Sequence, residues 1–168
     1  MTPNRLKHLL REGQPTCGTF LSLCSPLAAE IMGMLGFDWL LVDMEHGAGD
    51  YQTLLGQLQA IRAAGDSVPL VRVQWNDPVV VKRVLDAGAM GVMIPGVRSV
   101  AEAHQGVLAT RYPPAGVRGM ANVRATRFGL DPDYYAEANE NIAVFMQIEN
   151  GDAVRHIEDI LKVPGIDV

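Results

Sequence analysis

The stretch Asp38-Trp-Leu-Leu-Val-Asp-Met-Glu-His46 runs through apolar residues into three groups, Asp43, Glu45 and His46, that can move protons or hold cations. Histidine changes charge near neutral pH and is the natural acid or base, and carboxylates pair with arginine or ligate hard cations. Any of the three is a candidate for the proton carrier or the metal ligand. Gly47-Ala48-Gly49 follows and gives a flexible approach to a ligand. Arg72 sits inside the apolar run Leu70-Val-Arg-Val73, where an unpaired guanidinium is costly to bury, so it requires an anion. That anion is either a structural partner, Asp43 or Asp86, or a substrate oxyanion or carboxylate, which suits the planar donors of arginine.

Gln147 and Glu149 are one residue apart in Ile142-Ala-Val-Phe-Met-Gln-Ile-Glu149, so both face the same side of a strand. If Met146 and Ile148 face helices, the polar pair faces the opposite side, toward a mouth. A carboxylate beside an amide is a partial site for Mg²⁺ or Mn²⁺, with water and substrate oxygens completing the shell. A glutamate at a strand end also caps a following helix, and Asn150-Gly-Asp152 keeps that reading open. His8, His104, His156 and the lysines Lys7, Lys82 and Lys162 all fall in helical patterns, which argues against Schiff-base chemistry.

The elements that must position these residues alternate along the chain. Asn4 to Glu12 reads as a short amphipathic helix, stopped by Gly13, that closes the bottom of the domain. Thr16 to Leu23 is a strand, and Ser25-Pro26, Asp50 and Asp77-Pro78 start helices that end at Gly36, Gly65 and Gly88. Pro69 to Val73, Gly91 to Pro95 and Ile142 to Glu149 are further strands. Ser99-Val-Ala-Glu102 has capping-box spacing. Arg111 to Leu130 is a long connection whose Pro-Pro-Ala-Gly-Val-Arg-Gly core cannot be regular structure, Pro132 to Asn139 a helix, and Asp152 to Leu161 another. Ile166-Asp-Val168 would begin a sixth strand, so the chain stops inside an element and is expected to be a truncated form of a longer one.

The 168 residues form a single domain, residues 1–168, with 48% hydrophobic content and a net charge of −5. No Lys or Arg cluster exceeds a pair, which disfavours a nucleic-acid partner, and neither a signal-peptide core nor a membrane-spanning window is present. Cys17 and Cys24 read as reduced core or near-core thiols of a cytoplasmic protein. Both common nucleotide-binding glycine motifs are absent. Two α/β architectures use this cadence, a doubly wound open sheet and a (β/α)8 barrel. The polar residues closing several strands meet at one mouth only if the sheet curls, which selects the barrel. A full barrel needs about 250 residues, so the chain holds roughly its first five β/α units.

The motifs Gly36-Phe-Asp-Trp-Leu-Leu-Val-Asp-Met-Glu-His46, Trp75-Asn-Asp-Pro78, Arg111-Tyr-Pro-Pro-Ala-Gly-Val-Arg-Gly119 and Gln147-Ile-Glu149 resemble, in this order, those of the HpcH/HpaI aldolase family. The resemblance implies a (β/α)8 TIM barrel of the phosphoenolpyruvate/pyruvate class. It implies a class II aldolase that cleaves 4-hydroxy-2-oxo acids to pyruvate and an aldehyde through an enolate, using Mg²⁺, Mn²⁺ or Co²⁺. It makes Glu149 a metal ligand, Arg72 the group that binds the keto oxygen and stabilises the enolate, and His46 the acid/base. Asp86 would orient His46, Asp43 would lie at the mouth or a subunit contact and help bind substrate, and Gln147 would line the pyruvate site. A cytoplasmic homo-oligomer, a hexamer at full length, is implied as well.

The same resemblance places a second metal-binding carboxylate after the sixth strand, in a Gly-Pro-x-Asp-type segment that these 168 residues do not reach. The short chain alone is therefore expected to be inactive or poorly folded, with an exposed sheet edge. Two other readings stand beside the aldolase: a non-catalytic assembly module, and a relative that decarboxylates oxaloacetate.

Overall fold

The computed structural model describes residues 3–168. Five parallel strands, β1 (Gly18–Leu21), β2 (Trp39–Asp43), β3 (Val68–Arg72), β4 (Gly91–Ile94) and β5 (Ala143–Met146), pair strictly in chain order. Right-handed crossovers between consecutive neighbours put the crossover helices on one face. A doubly wound sheet reverses strand order at a switch point and covers both faces. This sheet does not reverse, so it is an arc of a barrel, as the distribution of polar strand ends requires. The ladder continues beyond β5: Met146 N–H donates to Val168 O at 2.9 Å and Asp167 N–H to Val144 O at 2.9 Å, so Ile166–Val168 lies where a sixth strand starts.

The helices are α1 (Arg5–Arg11), α2 (Pro26–Gly33), α3 (Tyr51–Ala64), α4 (Pro78–Asp86), α5 (Val100–Thr110), α6 (Tyr134–Asn141), α7 (Gly151–Arg155) and α8 (Ile157–Ile160). Helices α2, α3, α4 and α5 are each started by a side chain that accepts an otherwise orphaned N–H. Ser25 takes Ala28 N–H, Asp50 takes Thr53 N–H, Asp77 takes Val79 and Val80 N–H, and Ser99 takes Glu102 N–H. The expected reciprocal bond of the last cap shifts by one residue. The Glu102 carboxylate accepts Arg98 N–H at 2.7 Å instead of that of Ser99.

Strand parity divides the apolar residues into two layers. Leu40, Val42, Val71, Val73, Val92, Ile94, Val144 and Met146 belong to the cluster packed under the helices. Leu41, Val68, Leu70 and Met90 form a second cluster with Leu6 of α1, joined by Met93 and Phe145. That second cluster is the barrel interior, plugged from below. Asn4 Nδ2 donates to Met90 O and Lys7 Nζ to Ile142 O, tying α1 to the entrances of β4 and β5.

The Pro-Pro-Ala-Gly-Val-Arg-Gly core of the connection after Arg111 is irregular, as expected, and a 3₁₀ turn follows it at Arg124–Gly129. The Thr126 hydroxyl both donates to Val123 O and accepts Val123 N–H, closing the turn through a side chain. The expected helix Asp152 to Leu161 is interrupted at His156, and nothing in the local sequence explains the break. Cys17 is exposed rather than in the core, and both thiols are free.

Candidate active site

Parity also fixes which polar side chains enter the barrel. Leu41 and Leu70 point inward, so Asp43 and Arg72, two residues further along their strands, do the same beyond the apolar layer. The paired register sets Asp43 beside Arg72. Phe145 points inward and Met146 outward, so Gln147 and Glu149 follow the inward face past the end of β5.

The centre of the arrangement is the Arg72 guanidinium. Its Nε and Nη2 donate to the two oxygens of Asp43 at 2.9 and 2.7 Å, and Nη1 lies 3.1 Å from Glu45 Oε2. Phe20, from β1, presents its ring 5.2 Å from the guanidinium carbon. A guanidinium has five N–H donors; Asp43 accepts two of them and the charge of Glu45 faces a third. Two remain for an oxyanion. The bond to Asp43, outweighing burial, and then the charges of Asp43, Glu45 and Glu149 raise the Arg72 pKa further, so it stays cationic throughout.

Asp43 supports the guanidinium. It is 3% exposed, and besides both Arg72 bonds its Oδ1 accepts Glu45 N–H at 3.1 Å and His46 N–H at 3.2 Å. Burial would raise its pKa, but the Arg72 hydrogen bond, the His46 N–H and the Arg72 charge together bring it below the ordinary 3.8. A depressed carboxyl stabilises the fold fully above its unfolded pKa and loses that stabilisation as pH falls through its folded one. Unfolding followed between pH 5 and 2 is therefore expected to show a loss of stability below about pH 4 that Asp43→Asn lacks. Parallel pH profiles of wild type and variant would refute the pairing.

Glu45, to which the sequence assigns no role, joins the cluster because it is two residues beyond Asp43 on the same face. Its Oε1 is 3.8 Å from His46 Nε2 and its Oε2 faces Arg72. The Oε2 contact is electrostatic, because this buried oxygen has no partner in hydrogen-bond geometry. The His46 side chain is 74% exposed at the mouth. Asp86 does not meet it within this chain. Asp86 ends α4, a helix that leaves the mouth at Asp77, and nine helical residues carry it about 13 Å toward the opposite end. There it pairs with the fully buried Arg118 at 2.8 Å. The carboxylate that actually approaches His46 is Glu45.

Glu149 is held by two donors. The Gly96 N–H donates to Oε1 at 2.7 Å and Gln147 Nε2 to Oε2 at 2.7 Å. Gly96 achieves this with φ +66, in the left-handed region, beneath the Trp75 ring. The amide oxygen of Gln147 is buried and unpartnered. An orphaned acceptor beside a carboxylate is half of a hard-cation site. The charges point the same way, since Asp43, Glu45 and Glu149 all act on one guanidinium and leave the mouth net negative. Among the described residues, however, no group of three or more His, Cys, Asp or Glu side chains is arranged to hold a metal ion. The residues thus fit a divalent cation in part, through Glu149 and Gln147.

The profile of a family described as HpcH/HpaI aldolase/citrate lyase matches residues 16–168. A 4-hydroxy-2-oxo-heptane-1,7-dioate aldolase of Klebsiella pneumoniae subsp. pneumoniae is 46% identical over 166 residues, which are 98% of this chain and 62% of that protein. A HpcH/HpaI aldolase/citrate lyase family protein of Burkholderia cenocepacia J2315 superimposes with a TM-score of 0.94 at 43% identity, over 97% of this chain and 66% of that one. The citrate synthase SbnG superimposes with a TM-score of 0.85 at 34% identity, over 97% and 63%. The chain spans somewhat under two thirds of the length of these relatives.

Proposed function

The chain belongs to the HpcH/HpaI aldolase/citrate lyase family, and on that premise we propose that its mouth serves the reversible cleavage of 4-hydroxy-2-oxo acids to pyruvate and an aldehyde. The observation that carries this reading is the Arg72 guanidinium, fixed by Asp43 and Glu45 with two donors left over, facing the Glu149–Gln147 pair. In the cleavage direction the C4 hydroxyl loses its proton, the C3–C4 bond breaks, and its electrons move onto the C2 oxygen as an enolate. Arg72 is preorganised to hold that oxyanion. His46, exposed at the mouth with Glu45 beside it, takes the hydroxyl proton directly or through water and returns one to C3. Glu149 and Gln147 would hold a divalent cation, which supplies Lewis-acid polarisation of the 2-oxo group. Gln147 also lines the pyruvate site.

The test is pyruvate release from a 4-hydroxy-2-oxo acid, with Mg²⁺ or Mn²⁺ and with chelator. His46→Ala is expected to lower turnover about 100- to 1,000-fold, because positioned proton transfer contributes on that scale. His104→Ala, on the outer helix α5, is expected to leave turnover unchanged. Equal losses in both variants would remove His46 from the mechanism. A discrete oligomer by light scattering, with neither metal binding nor pyruvate release, would favour an assembly module instead.

A further inference from the structure

A second polar cavity lies at the opposite end of the barrel. It has a volume of about 630 Å³ and lies between the end of α3, the Gly88–Met90 entrance to β4, and the 3₁₀ turn. Three guanidiniums line it, those of Arg62, Arg124 and Arg127, against one carboxylate, Asp131. In a protein of net charge −5 this is a local reversal of sign. We propose that this cavity is a binding site for a small multivalent oxyanion, a phosphate or a polycarboxylate, separate from the catalytic mouth.

Two features show that the cavity is built around its arginines. Arg124 Nη1 donates to Ala87 O at 2.6 Å, across the surface of Gly88. Any Cβ on residue 88 would fall onto Nη1, so glycine there is the condition for Arg124 to reach its place. Burial and then the nearby Arg62 charge lower the Arg124 pKa, which marks a cation that an anion would relieve.

The second feature is the backbone of the turn. Arg127 and Phe128 both adopt left-handed conformations, φ 50 and φ 57, without being glycine. Such conformations are strained for residues other than glycine and gather at ligand clamps and similar sites. Here they set Arg127 and Phe128 on the cavity wall. The Arg127 side chain has no ion pair among the described residues. Planar guanidinium forks match the oxygens of phosphate and carboxylate alike, so both ligand sources are tested.

The experiment is calorimetric titration of the purified protein with inorganic phosphate and, separately, with malonate, against chloride at matched ionic strength. Saturable binding of either anion is expected, and the anion bound more tightly identifies the source. Arg124→Gln is expected to weaken it at least about tenfold. Arg127→Gly should weaken it similarly while leaving the unliganded melting temperature equal or higher, because glycine accepts the left-handed backbone. Gln147→Ala, in the mouth, should leave it unchanged. The proposal is overturned if neither anion binds saturably, if binding survives both arginine substitutions, or if it disappears with Gln147→Ala. These readouts do not depend on aldolase activity, so the failure of either reading is distinguishable from the failure of the other.

Discussion

Arg72→Ala is expected to lower turnover about 1,000-fold or more. Removing one donor to a developing oxyanion typically lowers turnover about 100- to 1,000-fold, and Arg72 offers two free N–H groups together with a full charge. The same substitution strands Asp43, which is 3% exposed, without its cation. Breaking a buried pair from one side typically destabilises by about 3–5 kcal/mol. Thermal unfolding should therefore shift clearly downward alongside the loss of activity. Arg72→Lys separates the two effects. A lysine keeps a charge near Asp43 but not the bidentate fork, so the fold should largely survive while turnover stays severely reduced. Wild-type turnover in Arg72→Lys would show that guanidinium geometry has no part in the reaction.

Glu149→Gln is the second large effect. A glutamine still accepts the Gly96 N–H and has nearly the same shape, so the variant should fold normally. It removes the negative charge from the Glu149–Gln147 pair offered to a cation. Mn²⁺ affinity, read by calorimetric titration, is expected to fall at least about 100-fold, beyond the 10- to 100-fold typical for an outer-shell partner. Pyruvate release should fall with it. Unchanged Mn²⁺ affinity, or activity that survives chelation in the wild type, would dismiss a role for Glu149 in holding metal.

Most of the scaffold was legible because its signals are local. Ser25-Pro26, Asp77-Pro78 and Ser99 announce helix starts through short-range caps, and the structure uses all three. Arg72 announced itself as a cation inside an apolar strand that required an anion, and Asp43 was one of its two candidate partners. What could not be read depends on distance through space. Asp86 follows Arg72 closely in sequence, yet helix α4 carries it away from the mouth to Arg118. Glu45 was readable in principle, because its spacing from Asp43 puts it on the same face. The part played by Gly96 was hidden, since a backbone N–H has no residue-type signature, although Pro95-Gly96 had marked the strand end. The Arg124–Gly129 turn gave no warning either, because its left-handed residues are arginine and phenylalanine where glycine would be the usual sign.

Strand order has a consequence for how the site comes into being. Because each strand pairs with its sequence neighbour, each sheet contact closes over a single crossover unit, the shortest connection that parallel strands allow. The Arg72–Asp43 pair needs only β2, α3 and β3, so it can form as soon as that one unit docks. Glu149 comes from β5, after the longest connection in the chain, and its Gly96 partner comes from β4. The oxyanion grip is thus expected to assemble early in folding and the cation-binding half late. Substitutions around Arg72 should slow folding itself, whereas substitutions around Glu149 should act after most of the sheet is already in place.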